Sequence, residues 1–460
     1  MRTIEQLIPT KRLAPNGDDA VHVVPSVRSP FQSDIDKITF CEGFRALADK
    51  TQVVDRVDTI DHHRNRLTHS LEVASVGRTL GVALGARMIA SYGIVTSTRA
   101  EAFWRVDPEF IGQSVSAACL AHDIGNPPFG HQGEDVISTF FSENAIGRKI
   151  SARVRPETAR ELALHEGNAQ GFRMITRTMG WREDDGDETG LNLTAAVLAA
   201  FLKYPFPLTP GTKKYGLFHD DVASAERVAG IAGMQKLGPG WRRHPLVWIM
   251  EAADDICYLT VDLEDAALGG AIDMGDAIEQ MLALIDKRHF ADVSFAQIKR
   301  DPVRALRFLR SRMIRTLIDD AIDTHSEIAG DIENGSLQVS GGILGYSQRR
   351  DQISALRQWS RANIYRSSGT NAARTTYSKI MTVFLEMLGH DLLSIIDGDA
   401  FNSERHAAIA ALYGGGRRDW GRDAASGREK PAPDTTVRRA IDLLTMTPER
   451  KIAQHVERAA

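Results

Sequence analysis

Cysteine is scarce: the 460 residues include three, Cys41, Cys119 and Cys257, too few for the disulfide framework of a secreted scaffold. The opening stretch MRTIEQLIPTKRLAPNGDDA lacks the apolar centre of a secretory signal. No apolar run approaches the length needed to cross a bilayer. Together these absences predict a soluble chain in a reducing, cytoplasmic compartment, with no membrane partner. An excess of positive charge is also missing, since 56 Lys and Arg against 60 Asp and Glu leave a net charge of −4. That excludes nucleic-acid binding through a globally basic surface and leaves only local basic grooves. An anionic substrate would have to be held by a metal and by locally placed Arg and Lys.

Period-two, β-branched stretches are nearly absent, and three-to-four-residue apolar periods take their place. RLTHSLEVASVGRTLGVALGARMIA carries Leu67, Leu71, Val73, Val76, Leu80, Leu84 and Met88 on that period, and FIGQSVSAACLAHDIG repeats it up to Gly125. HPLVWIMEAADDICYLTVDLEDAAL, DPVRALRFLRSRMIRTLIDDAID and TTYSKIMTVFLEMLGHDLLSII continue it. The fold class predicted is all-α, a helical bundle with additional C-terminal helices. At this length one large elaborated domain or two packed domains are expected. The divisions read from composition are an irregular, proline-interrupted lead-in over 1–40, a core over 41–275 and a C-terminal helical region over 276–412. A flexible connector over 413–436 and one more helix with a tail over 437–460 follow. MGWREDDGDETG reads as an acidic loop.

Three helices carry residues with metal-binding chemistry. His69 lies near the start of one, adjacent His122 and Asp123 at the end of a second, and Asp254 on a third. Imidazole nitrogen with carboxylate oxygen suits a divalent first-row metal, and bundles build such sites from inward-facing side chains. A lone helical histidine is ordinarily just a hydrogen-bonded residue. A carboxylate placed beside His122 in an apolar helix end would instead be costly without a cation. On the third helix Asp254, Tyr258 and Asp262 share one stripe of about 80°, with Asp255 roughly a quarter turn away. His62 and His63 precede the first of these helices and read as polar loop residues. Cys119 and Cys257 read as small core residues.

RNRLTHSLEV, AHDIGNPPFGHQGE, HEGNAQG, KYP and EAADDICYLTVDLEDA, in this order, closely resemble the HD-domain superfamily and, within it, the bacterial dGTP triphosphohydrolase family. The resemblance spans residues 41 to about 270; beyond 290 only general helical character is shared. It implies His69, His122, Asp123 and Asp254 as ligands of Mg²⁺ or Mn²⁺, with Asp254 preferred over Asp255 because the family places a Tyr four residues after the ligand and an Asp four beyond that. It implies hydrolysis of a deoxynucleoside triphosphate, dGTP by family preference, at the α-phosphate, releasing the deoxynucleoside and intact triphosphate. His131 and Glu134 correspond to the catalytic couple, the carboxylate orienting the imidazole and raising its basicity. His165 corresponds to a second active-site histidine, a candidate donor to the leaving O5′, although a solvent-capped helix-end histidine is an equal reading.

Substrate contacts carry over residue by residue. Arg66 matches a phosphate-binding arginine, whose planar fork suits phosphate oxygens, and Asn126 a residue facing the phosphates. Gln52 and Asp262 match readers of the sugar 3′-OH, and Tyr258 the residue under the deoxyribose that excludes a 2′-OH. Lys203 and Tyr204 match a phosphate and sugar pair, and Asn168 a nearby polar contact. The resemblance also implies a homo-oligomer, a hexamer by family, and admits an allosteric nucleotide and single-stranded DNA as partners. The Arg-rich helix DPVRALRFLRSRMIRTLID reads either as a phosphate-holding element or as a solvated or interface helix. Two other functions compete: another HD-domain nucleotide phosphohydrolase, and a nucleotide- or DNA-binding regulator with a vestigial site.

Overall fold

The computed structural model describes residues 4–13, 28–51, 64–92, 107–179, 190–212, 214–289, 300–337, 341–365, 368–399, 402–413 and 432–459. Within them lie nineteen α-helices and one two-stranded hairpin, β1 (Lys236–Leu237) with β2 (Gly240–Trp241). The chain is all-α. Helices α1 (Ile4–Leu7), α2 (Pro30–Phe40) and α3 (Glu42–Ala46) lead into α4 (Arg66–Tyr92) and α5 (Pro108–Ala121). Next come α6 (Gly130–Glu143), α7 (Ala145–Ser151), α8 (Pro156–Ala163), α9 (Gly167–Arg173), α10 (Ala195–Phe201) and α11 (Val222–Ile231). After the hairpin follow α12 (Pro245–Leu268), α13 (Met274–Leu284), α14 (Pro302–Asn334), α15 (Arg350–Asn363) and α16 (Ser368–Asp397). Helices α17 (Ala407–Tyr413), α18 (Pro433–Thr445) and α19 (Glu449–Ala459) complete the chain.

Proline starts these helices rather than breaking them. Pro30, Pro108, Pro156, Pro245, Pro302 and Pro433 each occupy a first-turn position, where the missing N–H costs nothing and the fixed φ is already helical. In α2 the preceding Ser29 caps the Gln32 amide at 2.9 Å, and in α5 Asp107 caps that of Glu109. This corrects two expectations. Residues 1–40 are not an irregular lead-in throughout, because Ile4, Leu7, Phe31 and Ile38 are buried in the core from α1 and α2. Residues 433–436 belong to a helix, and the C-terminal stretch folds as two helices, not one with a tail. The acidic loop 180–189 and the connector 414–431 lie outside the described residues.

Helices α4 and α5 form the most extensive helix pair, and α12 packs across both. Their buried residues, with α10, α13, α14 and α15, make one core. A second core joins Ile137, Phe140 and Phe141 of α6 to Phe384 and Leu388 of α16 and to Ile441 and Ile452 of α18 and α19. The last helices therefore pack on the middle of the chain. By length and composition the Arg66–Ser91 part of α4 is apolar enough to cross a bilayer, contrary to the expectation from the sequence; half of its most apolar window is buried within the protein, as in a core helix.

Candidate active site and metal centre

The antiparallel run of α4 and α5 brings the first turn of one against the last residues of the other. His69, His122 and Asp123 thereby present donor atoms within 4.8 Å of one another. His122 Nδ1 donates to the Cys119 carbonyl at 2.6 Å, which turns Nε2 toward the cluster. Nε2 lies 3.6 Å from Asp123 Oδ1 and 3.6 Å from Asp254 Oδ1. Carboxylate oxygens gathered around an imidazole nitrogen are stabilised by a cation, whether a proton or a metal ion. His69, 2% exposed, approaches Asp254 Oδ1 with Nε2 at 3.2 Å, while its Nδ1 is buried with no hydrogen-bond partner. The donor set and the orphaned nitrogen fit a divalent metal, which HD domains bind. Asp254 meets both imidazoles from α12 but stands outside the tightest group. Asp255 turns away to Arg357 at 2.9 Å.

Arg66 ties this cluster to the turn that bears His131. Its Nη1 bonds Asp123 Oδ2 at 2.9 Å, and its guanidinium occupies the space a side chain on Gly130 would need. Burial pushes the Asp123 carboxyl up, yet Arg66, then His122 and His69, hold it down at about 2. Asn126 Nδ2 donates to the other oxygen, Oδ1. So the residues that match phosphate contacts are engaged with the Asp123 carboxylate.

His131 opens α6 and its Nδ1 lies 2.9 Å from Glu134 Oε2. The spacing of three residues places both on one helix face. The hydrogen bond to Glu134 raises the His131 pKa, and burial opposes it. Burial raises that of Glu134, but the bond to His131 and the charges of His131 and Lys214 bring it below its usual range. Glu134 is also held at Oε1 by the Gly167 amide at 2.9 Å. Helix α9 can come this close because Gly125, Gly167 and Gly171 touch: a Cβ on Gly125 would collide with the Gly167 carbonyl and the Gly171 amide. The glycines of HDIGN and HEGNAQG thus pack motif against motif.

His165 is 5% exposed with neither ring nitrogen hydrogen-bonded. Burial pushes its pKa down to about 4, so it is neutral at pH 7. That argues against a resting role as proton donor to O5′ and leaves the imidazole backed by Glu134 as the better proton carrier.

The substrate-contact residues are spread over this surface. Gln52, like His62 and His63, lies outside the described residues. Lys203 pairs with Glu251 at 3.2 Å and stands 5.9 Å above the Tyr204 ring; burial opposes its charge, which Glu251 and Asp254 more than restore. Asn168 donates to Glu166 at 2.6 Å. Tyr258 stacks on Tyr365 with ring centres 5.5 Å apart. Asp262, 3% exposed, accepts from the Tyr365 hydroxyl at 2.6 Å; burial pushes its pKa to about 7 against that bond.

Sequence reasoning missed several residues of this region. Lys214 reaches Glu166 at 2.8 Å and Glu134 at 4.0 Å, a cation beside the His131 and Glu134 pair that no motif marked. Tyr365 comes 103 residues after the carboxylate it touches, in a stretch with no recognised pattern.

The HD-domain family model matches residues 66–189. A deoxyguanosinetriphosphate triphosphohydrolase-like protein of Synechocystis is 36% identical over 351 residues, covering 73% of this chain and 74% of that protein. The protein of the same name from Pseudomonas aeruginosa is 41% identical over 265 residues, 56% of either chain. That from Listeria monocytogenes is 27% identical over 402 residues, 83% of this chain and 82% of its own. With its helical fold and the cluster of His69, His122 and Asp123, the chain belongs to the deoxyguanosinetriphosphate triphosphohydrolase-like family of HD-domain phosphohydrolases.

Proposed function

We propose that the protein is a metal-dependent deoxynucleoside triphosphate triphosphohydrolase, converting dGTP and water to deoxyguanosine and inorganic triphosphate, with other dNTPs as further substrates. The observation that carries the reading is the link from the His69, His122 and Asp123 cluster through Arg66 to the turn bearing His131 and its partner Glu134. Mg²⁺ or Mn²⁺ held by His69, His122, Asp123 and Asp254 would supply charge neutralisation at phosphorus and an activated water. Arg66 and Lys203 then bind phosphate oxygens, each exchanging a carboxylate partner for the substrate. Lys214, kept charged by Glu134 and Glu166 against its burial, adds a third cation.

The reaction joins the water oxygen to the α-phosphorus and breaks the bond from phosphorus to O5′. His131 holds a proton on its ring, oriented by Glu134, for delivery to that leaving oxygen, and the proton released by the attacking water replaces it. Asp262 accepts from the sugar 3′-OH beside the Tyr365 hydroxyl, and Tyr258 packs against the deoxyribose. The test is incubation of purified protein with Mn²⁺ and each dNTP, singly and in pairs, with products resolved. Deoxynucleoside and inorganic triphosphate are expected. Free phosphate or pyrophosphate would overturn the reading, and turnover seen only with a mixed pair would reveal an activating nucleotide.

A further inference from the structure

The last helix reaches back to the turn that carries His131. Glu449, the first residue of α19, accepts the Phe129 amide on Oε1 at 2.8 Å and the Thr51 amide on the same oxygen at 3.1 Å. Its Oε2 accepts the Thr51 hydroxyl at 2.7 Å. One carboxylate therefore joins two segments 320 and 398 residues away from it. Both lead directly into the site. Phe129 is followed by Gly130 and His131, and Thr51 bridges to Asn65, the residue before Arg66.

Phe129 needs such a hold. It sits at φ 65 and ψ 17, a left-handed conformation that a residue with a bulky side chain avoids and that persists only when its surroundings over-determine it. Its ring stacks on Tyr377 with centroids 4.7 Å apart, and its amide is spent on Glu449. A second tie runs alongside: the buried Lys50 ammonium donates to the Asn126 carbonyl and to the Thr445 carbonyl, each at 2.6 Å. The junction of α18 and α19 thus grips the Pro127–Pro128 turn from both ends.

We propose that Glu449 is a positioning residue for the reaction: it fixes the Phe129 peptide and so aims the His131 ring, whose partner Glu134 is anchored separately by the Gly167 amide. Releasing the peptide lets His131 move relative to Glu134 and the metal cluster. A misplacement of about 1 Å at a reacting group costs roughly a hundredfold in rate. The proposal rests on the reading above that His131 handles the proton, and its test separates the two.

Three substitutions at position 449 are compared in the full-length protein. Glu449→Gln keeps the contacts, since its carbonyl accepts both amides and its NH₂ donates to the Thr51 hydroxyl. Glu449→Ala removes all three bonds, and Glu449→Asp withdraws the carboxylate by one methylene and stands in should the alanine variant not fold. With Mn²⁺ and dGTP, kcat is expected to fall by about tenfold or more in the alanine or aspartate variant and by less than about threefold in the glutamine variant, with KM changed less than kcat. Bound Mn²⁺ per chain stays at the wild-type level. Amide exchange followed by mass spectrometry is expected to quicken in peptides containing Phe129 and Thr51, and not in the one containing His69. Wild-type kcat in the alanine and aspartate variants overturns the proposal, as does equal loss in all three variants with faster exchange throughout the chain. Should wild-type protein hydrolyse no dNTP, the proposed function fails, and the exchange at Phe129, which needs no turnover, still decides the clamp: unchanged exchange overturns it.

Discussion

His122 gives its Nδ1 proton to the carbonyl of Cys119, three residues back on the same helix, and this bond selects which nitrogen faces the metal cluster. The remaining nitrogen faces the Asp123 and Asp254 carboxylates, with the His69 ring beside it. His122→Ala is therefore expected to weaken divalent metal binding by more than about tenfold. Elemental analysis of dialysed protein measures it, and wild-type metal content in the variant would contradict the assignment.

Arg66 and Asp123 form a buried pair in which each partner has a second suitor, phosphate for one and metal for the other. Arg66→Ala leaves an uncompensated buried carboxylate, a defect that typically costs about 3–5 kcal/mol. The loss is expected in metal-free protein and to shrink when Mn²⁺ is added, because the cation takes over the neutralisation. Melting temperatures of wild type and variant, with chelator and with Mn²⁺, give the comparison; an equal loss in both conditions would refute the exchange of partners.

His131→Ala removes the proposed proton carrier and leaves His69, His122, Asp123 and Asp254 in place. Turnover is expected to fall on the order of 10²–10⁴-fold, the usual worth of a positioned acid or base, with bound metal unchanged. Retained activity would remove His131 from its role.

The histidines pull stability in opposite directions with pH. His131 is raised in the folded state, so its stabilising contribution is full below its unfolded value near 6.5 and is lost as pH rises through the folded pKa. Glu134 is lowered, so its contribution is present above its ordinary value of 4.5 and lost as pH falls through the folded pKa. The pair therefore contributes most between about 4.5 and 6.5. His165, depressed to about 4 by burial, acts oppositely, since the unfolded chain takes up its proton first as pH falls below about 6.5. Wild type should thus lose stability between pH 7 and 4 that His165→Gln retains, up to about 3 kcal/mol. Parallel chemical denaturation curves across that range test it, and identical pH slopes would contradict the buried neutral state.

Tyr365 supplies the hydrogen bond that offsets the burial of Asp262. Tyr365→Phe is expected to destabilise the fold by about 1–3 kcal/mol, the cost of a buried acceptor left without its donor. It should also raise the Asp262 pKa further. Denaturant unfolding reads the first effect, and carboxyl titration by NMR the second.

Sequence alone determined the class of the fold and the family to which the chain belongs. Helical periodicity survives in single stretches because it needs only local burial on one face, and His122 beside Asp123 in an apolar helix end already demanded a cation. The glycines of HDIGN and HEGNAQG were legible as motifs, though not as mutual contacts. What tertiary structure decided is everything set by distant partners. It placed the start of α4 against the end of α5 and gave Arg66 to Asp123. It left His165 buried, where the motif admitted either a proton donor or a solvent-capped histidine, and it made Pro30 and Pro433 helix starts where composition read an irregular lead-in and a connector. It also brought Tyr365 to Asp262 and Glu449 to Phe129. Such pairings leave no local trace, because a side chain's spacing fixes which face it occupies and only packing fixes what meets that face.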